Sequence, residues 1–292
     1  MRREPLKKWL LMAVLFMLLS CAGAADSAVP VGGLFSWEQS AAAQEAEQVI
    51  SLMERHGLTE LYQYFSREAS DEEVEDFLTL AARRGIRVYL LAGSAEWALE
   101  SEGDSLCGVI RRAARWNDGL PEGVGFAGVM ADVEPYLLDE WQDDRREALM
   151  RSYAQGLDAA HGYAAGQDLE LLVCVPFFYD TSGCMETLAQ MAAQGCDGLA
   201  VMNYLRVDVI GQIRAEAELA QKYGRRIITI YELQSPGTDG LTDRHSYYSA
   251  GLGALRESYA AIQEAYAPQR VDYALHYYPL LLELDRREAA AY

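Results

Sequence analysis

Cysteine, histidine and basic residues are all scarce in this chain, and each shortage excludes something. Five cysteines in 292 residues are too few to build a disulfide-held scaffold. Lys and Arg together number 25 against 44 Asp and Glu, a formal net charge of -19. A protein that reads phosphates needs a basic face, so nucleic acid is excluded as a partner. Docking on anionic lipid through a polybasic patch is excluded on the same ground. The apolar run at residues 9–19 is eleven residues long, short of the roughly 20 that span a bilayer. What the chain does have is 51% hydrophobic residues and 10% aromatics, enough for one large core and unlike a disordered segment.

Arg2, Arg3, Lys7 and Lys8 precede that apolar run, and Ser20-Cys21-Ala22-Gly23-Ala24 follow it. A positive start, a short apolar stretch and small residues make a secretory signal peptide. Leu18-Leu19-Ser20-Cys21 resembles a bacterial lipoprotein box, which makes Cys21 the expected lipidation site; Ala22-Gly23-Ala24 offers ordinary cleavage as the alternative. Removing residues 1–20 takes away four positive charges and one negative, so the mature chain stands at -22. The expected location is extracytoplasmic, either membrane-anchored through an N-terminal lipid or secreted. Cys107, Cys174, Cys184 and Cys196 remain, with Cys174–Cys184 or Cys184–Cys196 as possible pairs and free thiols as the alternative.

Beyond a linker at residues 21–32, strand-like and helix-like segments alternate to the end of the chain. Strands are expected at residues 33–37, 58–65, 86–92, 125–133, 169–177, 198–204, 226–231 and 271–276. The helices between them are expected at 40–56, from the Ser70 cap to 83–85, 104–116, 140–163, up to Gly195, 209–223 and 245–266, with a short one at the end. Several strands are nearly continuous apolar runs, as in a parallel sheet buried on both faces. Eight strand–helix units in about 260 residues predict one α/β domain, a single (β/α)8 TIM barrel over residues 33–292. An open doubly wound sheet would carry a Gly-rich turn after its first strand, whereas Gly32-Gly33 precede it here. The expected state is a monomer.

In such a barrel chemistry sits at the C-terminal strand ends. The polar residues there are Trp37-Glu38, Tyr62 and Tyr64, Asp132-Val133-Glu134-Pro135-Tyr136, Asn203-Tyr204-Leu205-Arg206, Tyr231-Glu232 and His276-Tyr277-Tyr278. Aromatics stack on sugar faces and carboxylates perform acid–base work on a glycosidic bond. Asp132 and Glu134 are two apart, so both side chains point the same way, and two close carboxylates raise the pKa of one. A raised Glu134 would serve as general acid. Glu232 pairs with Glu134 in the strand-four and strand-seven layout of many retaining glycosidases; a bond to Arg206 or His276 is its structural alternative. Candidate catalytic residues on these grounds are Glu134, Asp132 and Glu232. Candidate substrate-binding residues are Trp37, Tyr64, Tyr136, Asn203, Arg206, His276 and Tyr278, and no cofactor is expected. A divalent-metal site of Asp132, Glu134, Glu232 and His276 is a weaker reading, because no His-x-His and no second strand-end histidine exist.

The segment Phe126-Ala127-Gly128-Val129-Met130-Ala131-Asp132-Val133-Glu134 resembles the fourth-strand signature of family 18 glycoside hydrolases, the chitinases and endo-N-acetylglucosaminidases. Their pattern is Phe-Asp-Gly-x-Asp-x-Asp-x-Glu, and Ala127 and Met130 stand where it has Asp. Met202-Asn203-Tyr204 looks like their sixth-strand Met-x-Tyr, and His276-Tyr277-Tyr278 matches their eighth-strand aromatic platform only loosely. The resemblance implies that Glu134 is the proton donor, that Asp132 orients a 2-acetamido group and that Tyr204 hydrogen-bonds that group as it attacks the anomeric carbon. Asp-Val-Glu-Pro-Tyr with Leu275-His276-Tyr277-Tyr278 also looks like a group of secreted bacterial barrel proteins of unassigned function. Three functions remain open from sequence: a glycoside hydrolase, a glycan-binding barrel without activity, and a metal-dependent hydrolase of another bond.

Overall fold

Eight runs of mainly β-branched, aliphatic and aromatic residues form the strands β1 Gly32–Ser36, β2 Glu60–Tyr64, β3 Arg87–Ala92, β4 Phe126–Ala131, β5 Glu170–Pro176, β6 Gly198–Met202, β7 Arg226–Glu232 and β8 Asp272–His276. In the computed structural model, which describes residues 30–142 and 144–290, every neighbouring pair is parallel. β8 returns to β1 through Gly33 opposite Ala274, and this closes the sheet. The chain is a single (β/α)8 barrel. The expected signal peptide and the expected lipidation site Cys21 lie outside the described residues. No helix among the described residues is long and apolar enough to cross a membrane.

Strand side chains alternate between two packing environments. Outward residues such as Leu34, Leu61, Leu90, Val129, Val173, Leu199 and Val201 meet the helices in the larger core. Inward residues fill the barrel: Phe35, Tyr62, Tyr89, Leu91, Met130, Leu172, Cys174, Ala200, Met202, Ile228, Ile230 and Ala274. All four described cysteines are free, and Cys174 Sγ lies 3.6 Å from Met130 Sδ inside the barrel.

The N-terminal end of the barrel is shut by charge. Arg226 Nη2 lies 3.0 Å from Glu60 and 2.9 Å from Asp272, both almost fully buried. Arg87 bridges Glu60 and Glu170, and Tyr89 donates to Glu170 at 2.9 Å. Val31 N donates to Asp272 at 2.9 Å, which pins the entry of the chain under the first strand. The open end is therefore the C-terminal one.

The helices depart from the expected spans where tertiary anchors intervene. The helix expected at 40–56 is two, Gln39–Ala43 and Ala46–His56, with Gly57 in the left-handed conformation as its stop. Ser70 caps Asp71–Arg83, its side chain accepting from Glu73 N. The helix expected from residue 140 begins at Arg146. Ahead of it, single 3-10 turns at Pro135–Leu137 and Asp139–Gln142 lay the buried Trp141 against Phe178 and Tyr179, and Arg146 Nε bonds the Trp141 carbonyl. The helix expected at 209–223 opens as a 3-10 turn at Gly211–Ile213 and is α-helical over Arg214–Tyr223. The helix expected from residue 245 starts at Gly251, because Tyr247 N and Ser246 Oγ are both held by the Glu232 carbonyl.

Candidate active site

Because inward positions recur every second residue, columns that begin in the barrel interior emerge at its open end. Met130 leads to Asp132, Met202 to Tyr204, Ile230 to Glu232, Ala274 to His276 and Phe35 to Trp37. These five residues, together with Glu134 and Tyr136 from the segment after β4, line one cleft of about 840 Å³.

Asp132 sits just past β4, its backbone N–H donating to Ala92 O at 2.9 Å and so extending the sheet by one bond. Gly93 makes that approach possible, since a Cβ there would lie 1.7 Å from the Asp132 carbonyl oxygen. Asp132 Oδ1 is buried without a hydrogen bond among the described residues. Burial, and then the neighbouring Glu134 charge, push this carboxyl up to about 6. Asp132 is thus a raised carboxyl beside Glu134. Glu134 Oε1 accepts the Tyr136 hydroxyl, and the Tyr136 ring is held edge-on by Trp141 and Phe178.

Glu232 is 2% exposed and fully engaged. One oxygen accepts Gln234 N at 2.7 Å and the other faces His276 Nδ1 at 2.9 Å. The expected alternative of a bond to His276 is therefore the one realised, not the one to Arg206. His276 packs edge-on against Phe35 and lies 6.3 Å from the Tyr204 ring, centroid to centroid. The Tyr204 hydroxyl has no hydrogen-bond partner among the described residues, and burial with the charges of Glu232 and Asp132 keeps it protonated far above its ordinary range.

Three expected binding residues lie elsewhere. Asn203 is on the outward column of β6; it is buried and donates to Val209 O at 2.8 Å and Thr229 Oγ1 at 3.1 Å. Arg206 bonds Asp243 O and lies over the Tyr247 ring. Tyr278 opens the last helix, Tyr278–Ala289, and its hydroxyl bonds Glu45 on the barrel's outside. Tyr64 faces a neighbouring cavity that shares Trp37 with the main cleft. Conversely, Gln234 lines the cleft, together with Glu38 and Tyr277, strand-end residues that are not among the candidates. Glu38 Oε2 is buried and unpaired among the described residues, and burial raises its carboxyl against the pull of its own backbone N–H and of His276. Among the described residues no group of three or more His, Cys, Asp or Glu is placed to hold a metal ion.

No protein-family model and no curated protein matches the sequence. Solved structures match the fold. A GH18 chitinase from Pseudoalteromonas aurantia superposes with a TM-score of 0.61 at 10% identity, over 89% of this chain and 98% of that one. A candidate alpha-L-fucosidase from Bacteroides thetaiotaomicron gives 0.61 at 11% identity, over 91% and 94%. A sugar phosphate isomerase/epimerase from Parabacteroides distasonis gives 0.53 at 12% identity, over 92% and 95%. At these identities the likeness is one of fold, a TIM barrel shared with enzymes of sugar chemistry.

Proposed function

We propose that this protein is an extracytoplasmic glycoside hydrolase, that it cleaves a glycan bearing a 2-acetamido sugar, and that the substrate's own acetamido group is the nucleophile. The supporting observation is the unequal state of the carboxylates. Both oxygens of Glu232 are taken by Gln234 and His276, which suits a group that orients an imidazole and does not suit a free nucleophile. Among the described residues Asp132 Oδ1 is buried without a partner and the Tyr204 hydroxyl makes no hydrogen bond, and both residues border the same cleft as Glu134.

In this reading Glu134 gives its proton to the glycosidic oxygen as the bond from that oxygen to the anomeric carbon breaks. The acetamido carbonyl oxygen bonds to the anomeric carbon, Asp132 accepts the acetamido N–H, and Tyr204 donates to the carbonyl oxygen. Water then adds at the anomeric carbon, returns a proton to Glu134 and releases the acetamido group. Trp37 and Tyr277 supply apolar faces for the sugar rings.

The test is turnover of N-acetylglucosamine oligosaccharides by wild type, Glu134→Gln, Tyr204→Phe and Glu232→Gln, with melting curves to confirm folding. Glu134→Gln loses about 10²–10⁴-fold in kcat. A compound with sulfur in place of the acetamido oxygen changes the rate only if that atom attacks. Unchanged turnover by Glu134→Gln refutes the acid assignment.

A second reading, a glycan-binding barrel without activity, is favoured by the apolar bed under Asp132. Met130 and Cys174 stand there, so no further carboxylate shares its proton. That reading predicts saturable binding of the same oligosaccharides without product.

A further inference from the structure

Beside the main cleft lies a second cavity of about 680 Å³, joined to it along Trp37 and Gly93. Its walls carry the rings of Trp37, Tyr64 and Trp97 and two guanidinium groups, Arg67 and Arg112. Trp37 and Tyr64 have ring centroids 6.3 Å apart and form one tilted aromatic wall.

The two arginines are unusual for a chain of net charge -19. Many other arginines here are ion-paired, as Arg84, Arg87, Arg115 and Arg226 are. Arg67 and Arg112 make no ion pair and no hydrogen bond within the described residues, although Asp104 lines the same cavity. Arg112 rests its guanidinium on the Trp116 ring, 5.3 Å from the centroid, and its Nε is buried without a partner. Burial, and then the like charge of Arg67, lower the Arg112 pKa, as expected of a cation whose counter-ion the protein does not supply. A guanidinium fork offers paired N–H donors that match a carboxylate or a sulfate. The protein's overall negative charge acts weakly at this range, because charges more than about 8 Å apart are screened at physiological salt.

We propose that this cavity is a subsite for an anionic sugar residue, so that the glycan taken by the main cleft carries a carboxylate or sulfate on a unit flanking the bond to be cut. One ring lies on the Trp37–Tyr64 wall and its anionic group sits between Arg67 and Arg112. This inference rests on the glycan reading of the main cleft and adds a substrate class to it.

The test is calorimetric binding in the Glu134→Gln background, so that it does not depend on turnover. The probes are a tetra-galacturonate, its carboxyl-reduced neutral twin, a muramic-acid-containing tetrasaccharide, a sulfated tetrasaccharide and a neutral N-acetylglucosamine tetramer. At least one acidic probe is expected to bind tenfold or more tighter than its neutral counterpart, less so as salt rises. Arg67→Gln, at an exposed and unpartnered position, and Arg112→Gln each reduce that preference about tenfold and leave the neutral ligands unchanged. Preference for the sulfated probe alone supports the subsite with sulfate as its anion. Equal binding of acidic and neutral probes, or a preference that survives both substitutions, overturns the proposal. Neutral glycans cleaved by wild type without charge preference would remove the subsite and keep the hydrolase. Arginine-dependent binding without any cleavage would do the reverse.

Discussion

Replacing Asp132 by Asn should make the protein more stable at neutral pH. The carboxyl is lifted from 3.8 to about 6, chiefly by burial, so the folded state holds this proton more tightly than the unfolded chain does. Stability rises with pH where the unfolded state binds more protons. Here the folded state binds more, so the contribution runs the other way: stability falls as pH rises from about 4 to about 6. A displacement of about two pH units at about 1.4 kcal/mol each gives up to about 3 kcal/mol lost by pH 7. Asn has the same shape and no charge, so it escapes this loss. Urea unfolding of wild type and Asp132→Asn from pH 3.5 to 8 measures it. The stability difference between the two should grow across the window by about 3 kcal/mol, other titrating groups cancelling in the comparison. A difference that stays constant with pH would show that Asp132 is not held protonated by its surroundings.

Other substitutions probe the frame around the site. Gly93→Ala puts a Cβ against the Asp132 carbonyl; it should lower stability by about 1–3 kcal/mol and lower turnover through a displaced Asp132, which a melt and a rate measurement report. Glu216 is fully buried with both carboxylate oxygens unpaired among the described residues, and burial lifts it to about 8. It stabilises most when protonated and loses that contribution as pH climbs from about 4.5 through 8. Glu216→Met should therefore raise stability at pH 9 by up to about 5 kcal/mol and change little at pH 4, as pH-dependent melts would show. Arg226→Met removes the cation that Glu60 and Asp272 share at the closed end of the barrel, leaving Glu60 with Arg87 and Asp272 with Arg270, and should cost about 1–3 kcal/mol in urea unfolding.

The barrel was legible because its strands are apolar runs at a regular spacing, and that spacing survives every local irregularity. Asp132, Tyr204, Glu232 and His276 were legible too, because each continues an inward column at the end of its strand or within two residues past it. Asn203 was misplaced for the same reason: one residue out of phase puts it among Val209 and Thr229. Tyr278 was misplaced because β8 ends at His276 and the chain turns into a helix. Glu38 is visible at the strand end but is no candidate in the sequence, because it sits out of phase with Trp37 and only the turn after Ser36 brings it into the cleft. The early helix starts failed where buried aromatics and carbonyl anchors hold the chain in turns. Arg67 and Arg112 come from separate segments with no shared pattern, so only the folded chain brings them to one cavity.

Product analysis decides whether the Asp132–Glu134 mouth cuts glycosidic bonds. Residues 25–292 and the same chain carrying Glu134→Gln are incubated with N-acetylglucosamine oligosaccharides, peptidoglycan fragments, N-glycans and acidic oligosaccharides. Mass spectrometry reads whether any fragment gains one water. Such fragments are expected from wild type on at least one glycan and none above background from Glu134→Gln; no cleavage of any glycan, or equal cleavage by both proteins, would refute a glycosidase centred on Glu134.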